Sequence, residues 1–134
     1  MVDSVRVSKG YEDLDVYRRA FALQKPIHEL VSRYPDYEKY GLANQMRRAS
    51  KSIPANIAEG YGRRRSPREF CTYLAIAVGS ANEMEVHLKT SFELDYITPG
   101  EFEHFRSEYE IVGKQLTRLI QYWSTRDQSP VTNH

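Results

Sequence analysis

Apolar residues fall at helical spacing in four separate stretches. The last is the most regular: Phe102, Phe105, Tyr109, Val112, Leu116, Leu119 and Trp123 step alternately by three and four residues. Such an a/d stripe keeps one seam facing a partner helix at a shallow crossing angle. Thr98-Pro99-Gly100-Glu101 opens it with a Thr N-cap, a proline at the first helical position and a glutamate placed to close a capping box. A helix over about 99–124 is predicted. The stretch before it starts alike, at Ser66-Pro67-Arg68-Glu69, and carries Phe70, Tyr73 or Leu74, Ala77, Ala81, Met84, Leu88 and Phe92 over about 67–94. Only Asp95–Thr98 joins the two, so they are expected to pack as antiparallel neighbours.

Two earlier stretches complete the set. Val16 or Tyr17, Ala20, Leu23 or Gln24, Ile27, Leu30 or Val31 and Tyr34 predict a helix over about 14–34, with Asp13 as N-cap. Leu42, Met46, Ala49, Ile53 and Ile57 predict another over about 42–59, closed by Gly60 as a left-handed C-cap. Pro26 and Pro54 interrupt these two, and the apolar spacing on either side favours a kink over a break. No stretch alternates with period two, and no internal repeat is present. The expectation is an all-α, up-down-up-down four-helix bundle over 13–124, between a flexible arm (1–12) and a flexible tail (125–134).

Composition narrows the function. A chain of 134 residues that is 40% hydrophobic and 28% charged is one globular domain with a core of its own. Its longest mostly apolar run, Phe70 to Ala81, falls short of the roughly twenty residues a membrane span needs. The first ten residues hold no apolar core of a secretory signal. Cys71 is the only cysteine, so no internal disulfide or thiolate metal site is available, which fits a reducing, cytoplasmic setting.

Catalytic patterns are poorly supported. Glu101 and His104 have the spacing of one half of a di-iron carboxylate site, but no second Glu-x-x-His follows. Cys71 has no histidine placed locally to activate it and reads as a structural thiol. Glu83 and Glu85 stand two apart on a helix and point about 160° from each other, so they cannot work as one acid–base pair. Nucleophile elbows, phosphate-binding loops and dinucleotide fingerprints are absent. The chain is expected not to be an enzyme, and to use neither cofactor nor metal.

Charge is more informative. The formal total is +1, yet Met46–Arg68 holds seven basic residues against Glu59, a local +6. Glu83–Glu110 holds eight acids against Lys89 and Arg106, a local −6. Arg47, Arg48 and Lys51 share one helical strip, and Arg63, Arg64, Arg65 and Arg68 surround the cap at Ser66. With Gly60 and Gly62 free to take positive φ, the bend is expected to expose amides at a helix N-terminus, a setting for phosphate. Tyr61 is placed either to stack on a base or to pack in the ordinary way. The competing reading is a solvated basic face, with Arg47 and Arg48 paired to Glu83 and Glu85.

Ser52-Ile53-Pro54-Ala55-Asn56-Ile57-Ala58-Glu59-Gly60-Tyr61-Gly62-Arg63 resembles the hallmark of the four-helix-bundle proteins related to the 23S rRNA-intervening-sequence protein. Asp13–Val16, Tyr40–Leu42, Gln45, Arg47–Ala49, Glu69-Phe70, Leu74, Gly79-Ser80, Glu83–Glu85 and Leu94–Ile97 extend the resemblance over about residues 11–123. Tyr17, Pro26 and Lys51 depart from the usual pattern. The resemblance implies a homopentamer without established enzymatic activity. Some members are encoded inside intervening sequences of 23S rRNA genes. The family is also similar to the accessory protein of diversity-generating retroelements, a pentamer that binds nucleic acid and works with a reverse transcriptase. It implies roles for Arg47, Arg48, Arg63, Arg64 and Arg65.

The leading expectation is therefore an oligomer that binds RNA or DNA through Arg47, Arg48, Lys51, Arg63, Arg64, Arg65 and Arg68. In the alternative, the bundle is a scaffold for a protein partner and the arginines serve assembly, the basic region of one subunit meeting the acidic hairpin of the next. A third reading places an enzyme site between subunits.

Overall fold

The computed structural model describes residues 10–126, and every regular element within them is helical. α1 spans Asp15–Val31, α2 Leu42–Tyr61, α3 Pro67–Glu93 and α4 Pro99–Ser124, with short 3-10 turns at Gly10–Asp13 and Asp36–Glu38. The fold is thus all-α, a four-helix bundle with no strand among the described residues. Most of the expected flexible arm and tail, residues 1–9 and 127–134, lies outside the described residues. Gly10–Glu12, assigned to the arm, instead help form the first 3-10 turn, where Tyr11 packs edge-on against Tyr17 at 4.8 Å.

Helix starts follow local chemistry where a side chain can reach back three residues. Ser66 Oγ accepts from the Glu69 amide at 3.2 Å to begin α3. At α4 the capping box is complete: the Glu101 amide donates to Thr98 Oγ1 at 3.1 Å and the Thr98 amide to Glu101 Oε1 at 2.9 Å. α1 corrects the expectation of an Asp13 cap. Its N-cap is Leu14, without a side-chain bond, because Asp13 is used in closing the preceding turn. α1 also ends at Val31 rather than near 34. Pro35 disfavours helical backbone just before it, and Tyr34 turns inward to donate from its hydroxyl to Ser91 Oγ at 2.7 Å. α1 and α2 each continue through their prolines, which excludes a break at either.

One core fills the centre. Ile27, Met46, Ile53, Ile57, Phe70, Leu74, Met84, Leu88, Tyr109, Val112 and Leu116 are fully buried, as the helical spacing predicts. Removing each such side chain from water contributes about 1.5–3 kcal/mol. Ser50, Ser80 and Ser91 are buried among them, each hydroxyl bonded within the bundle.

Contacts between neighbours show their directions. Phe70 meets Trp123 at 5.1 Å and Phe92 stacks on Phe102 at 4.8 Å, so α3 and α4 run oppositely. Ser52 bonds Ser80 and Met46 Sδ accepts from Ser91, so α2 and α3 do likewise. Arg19 of α1 pairs with Glu108 of α4, and Arg33, just past the end of α1, with Glu101. This last pair of helices is the most loosely packed of the neighbouring pairs.

Candidate nucleic-acid interface

The seven cations separate into two groups. Arg47, Arg48 and Lys51 sit in the first half of α2, while Arg63, Arg64, Arg65 and Arg68 surround the α2–α3 turn. The fifteen residues from Arg48 to Arg63 correspond to about 22 Å of helix. The expected continuous strip leading into the bend is therefore two sites. The α2 group flanks a groove of about 480 Å³ lined by Gln45, Arg48, Ser52, Ser80 and Glu83.

The turn itself overturns the expectation for its glycines. α2 continues through Gly60 to Tyr61, and Gly62, its C-cap, has φ −65°. Gly60 is needed for space: a Cβ there would stand 2.7 Å from Tyr73 Cβ and 3.0 Å from Phe70 Cδ1. Nor is the bend a cradle of free amides. The amides of Gly62, Arg63, Arg64 and Ser66 donate to backbone carbonyls within the turn, and that of Glu69 to Ser66 Oγ. With most amides there already bonded, side chains are the main part of what this end offers an anion.

Two of those side chains are held in place. Arg63 donates from Nε and Nη2 to Glu59 Oε2 at 3.0 and 2.8 Å, reaches Glu69 Oε1 at 3.5 Å, and lies 5.2 Å from the centre of the Tyr73 ring. The Glu59 carboxylate is the main reason its pKa is raised. Arg64 lies 3.9 Å over the Tyr61 ring and donates to the Tyr61 carbonyl at 2.9 Å. Tyr61 packs edge-on against Phe70, so one face of its ring is already occupied by Arg64 and the base-stacking role is not available there as the chain stands. Arg65 is exposed and has no partner among the described residues, while Arg68, also exposed, is engaged. Arg63 and both its carboxylates are about half exposed. Ion pairs of that kind contribute about 0–1 kcal/mol, so a phosphate can compete for the guanidinium.

On α2, Arg47 donates to the Lys39 carbonyl at 3.0 Å. Neither Arg47 nor Arg48 pairs with Glu83 or Glu85, and Glu83 instead meets His87 Nε2 at 3.0 Å. Arg48 and Lys51 are exposed and have no partner among the described residues. Sequence reasoning missed Glu59, Glu69 and Tyr73 as the supports of Arg63. The i,i+4 spacing of Glu59 and Arg63 was the signal that could have found the first of them.

The other candidates fall into structural positions. Glu101 completes the α4 cap and pairs with Arg33 at 2.6 Å; the Thr98 amide first, and Arg33 beside it, lower its pKa against the opposing effect of burial. Among the described residues no three His, Cys, Asp or Glu side chains are grouped to hold a metal. Cys71 is half-buried, its thiol directed at the Ile120 carbonyl at 3.7 Å. No described helix is long and apolar enough to cross a membrane.

Comparison with known proteins agrees with this architecture. A protein of unknown function from the S23 ribosomal protein family of Bacteroides thetaiotaomicron VPI-5482, solved by crystallography, is 27% identical. It superposes with a TM-score of 0.72, over 79% of this chain and 95% of that one. No curated protein matches the chain. The pattern of the 23S rRNA-intervening sequence protein family matches residues 12–118. With that match spanning the helical core, the chain belongs to the 23S rRNA-intervening sequence protein family.

Proposed function

We propose that this chain is a non-enzymatic, cytoplasmic helical bundle of up-down-up-down order that assembles into a homopentamer and binds RNA or DNA, without cofactor or metal. One observation supports it most. Arg65 stands unpartnered among the described residues beside Arg63 and Arg64, which Tyr73 and Tyr61 hold in place, with Arg68 on the next turn. Arginine suits phosphate oxygens through its planar donor fork. Arg47, Arg48 and Lys51 form the second contact, one turn group and one helix group per subunit. Repetition around a ring would turn individually weak phosphate contacts into avid binding.

The test is anisotropy of labelled single-stranded RNA and of duplex DNA over a salt series. Affinity is expected to fall steeply with salt, and Arg63→Ala/Arg64→Ala/Arg65→Ala to flatten the log–log slope by about two to three while light scattering finds the oligomer intact. Unchanged binding by the triple variant would overturn the assignment. The exposed Tyr37, Tyr40 and Val86 favour a second reading, a scaffold for a protein partner with the arginines used in assembly. Loss of the oligomer in the triple variant would support it.

A further inference from the structure

The end of the bundle away from the arginine turn carries open aromatic rings. There the loop from α1 to α2 meets the turn between α3 and α4. The Tyr96 hydroxyl donates to Glu38 Oε2 at 2.9 Å and stands 3.4 Å from the Tyr37 hydroxyl, which ties the two connections together. Around this tie Tyr37 is 79% exposed, Tyr40 85% and Leu94 47%. Large apolar side chains left open at one place and rimmed by charge mark an interaction surface. Tyrosine is well suited to one, because its ring offers a large contact area and loses little freedom on binding.

Charge selects the occupant. Residues 36–41 and 93–98 hold four acids (Asp36, Glu38, Glu93 and Asp95) against Lys39, a local −3. Asp36, Glu93 and Asp95 are exposed and form no ion pair among the described residues. Carboxylates repel phosphates, so this surface fits a cationic partner and not a nucleic-acid strand. Tyrosine faces favour guanidinium, which stacks flat on them, over ammonium. The chain displays that pairing itself: Arg126 lies 3.6 Å from the centre of the Tyr122 ring and Arg64 3.9 Å from that of Tyr61. Tyr40 draws a cation too, with Lys39 Nζ 5.5 Å from its ring centre. The arginine turn of a second copy is the wrong source. It lies at the far end of α3, a helix of 27 residues and about 40 Å, so such contacts would string bundles end to end into an open filament.

We propose that this end docks an arginine-rich segment of another protein, its guanidinium groups stacking on Tyr37 and Tyr40 and pairing with Asp36, Glu93 and Asp95. Unlike the scaffold reading above, this leaves the arginines of the α2–α3 turn to phosphate. The two surfaces can therefore fail separately.

Anisotropy of fluorescein-labelled octa-arginine with the full chain at about 150 mM salt tests it. Saturable binding is expected, with a Kd of about 100 μM or tighter. Tyr37→Ser/Tyr40→Ser should weaken it at least about tenfold with a urea midpoint near the parent's, both rings being exposed. Asp36→Asn/Asp95→Asn should weaken it likewise. Glu85→Gln/Glu110→Gln, an equal loss of charge along the α3–α4 hairpin, should not. Octa-lysine should bind at least about threefold more weakly than octa-arginine. Absence of saturable binding, an unchanged Kd in the tyrosine variant, octa-lysine binding as tightly, or the same loss from the Glu85/Glu110 variant would overturn it. So would a tyrosine variant that loses octa-uridine, the result for a nucleic-acid occupant, or one whose oligomer falls apart in light scattering, the result for a second copy.

Discussion

Gly60 to alanine isolates the close approach of α2 and α3. The added Cβ would lie 2.7 Å from Tyr73 Cβ, 3.0 Å from Phe70 Cδ1 and 3.2 Å from the Phe70 carbonyl oxygen. Carbon atoms in good contact sit about 3.5–4.0 Å apart, so the helices must part locally by about 1 Å. Tyr73 Cβ is anchored to the backbone and cannot swing aside. A gap of that size forfeits a quarter to a half of each affected contact around Phe70, and overpacking of this kind costs about 1–3 kcal/mol. Alanine returns up to about 1 kcal/mol of helix propensity. The net expectation is a loss of about 1–2 kcal/mol, or about 4–7 °C in melting temperature for a chain of this length. Gly113, inside α4, is the control, because a Cβ added there would meet nothing within 4 Å. Gly113→Ala lacks the clash and should gain about 0.5–1 kcal/mol. Both are read by urea and thermal denaturation at one fixed protein concentration, since assembly would make the midpoint concentration-dependent. A Gly60→Ala variant as stable as the parent would refute the close-packing account.

Three further outcomes follow from other buried or capping groups. The Tyr109 hydroxyl is buried with no partner among the described residues, and burial pushes its pKa up, so Tyr109→Phe should stabilise the fold by about 1 kcal/mol in urea; destabilisation would mean the hydroxyl is bonded after all. Tyr34→Phe removes the hydroxyl bonded to Ser91 and should cost about 1 kcal/mol by the same measurement, the opposite sign for the same chemical change. Glu101 has a lowered folded-state pKa, so its contribution is present above the ordinary carboxylate value and lost as pH falls through the lowered one. The stability difference between the parent and Glu101→Gln should therefore shrink between pH 7 and pH 3; a difference independent of pH would reject the role.

Much of the fold was legible because it rests on near neighbours in the chain. The a/d stripe of α4 and the caps at Ser66 and Thr98 depend on groups three or four residues apart, which helical geometry brings together whatever surrounds them. The Glu59–Arg63 pair lies within the same range, four residues apart, although it emerged only from the structure. Gly60 shows the limit. A glycine near the end of a helical pattern looks like a left-handed cap, and only the position of α3 reveals that the missing side chain is what matters.

For the candidate site, the sequence alone determined which residues carry positive charge and that many of them gather near the α2–α3 bend. Tertiary structure decided which are engaged: Arg63 between Glu59 and Glu69, Arg64 over Tyr61, Arg47 on the Lys39 carbonyl, with Arg48, Lys51 and Arg65 left unpartnered among the described residues. Charge and helical period are properties of the chain read locally. Pairing and desolvation depend on atoms from distant segments, and only packing brings those within reach.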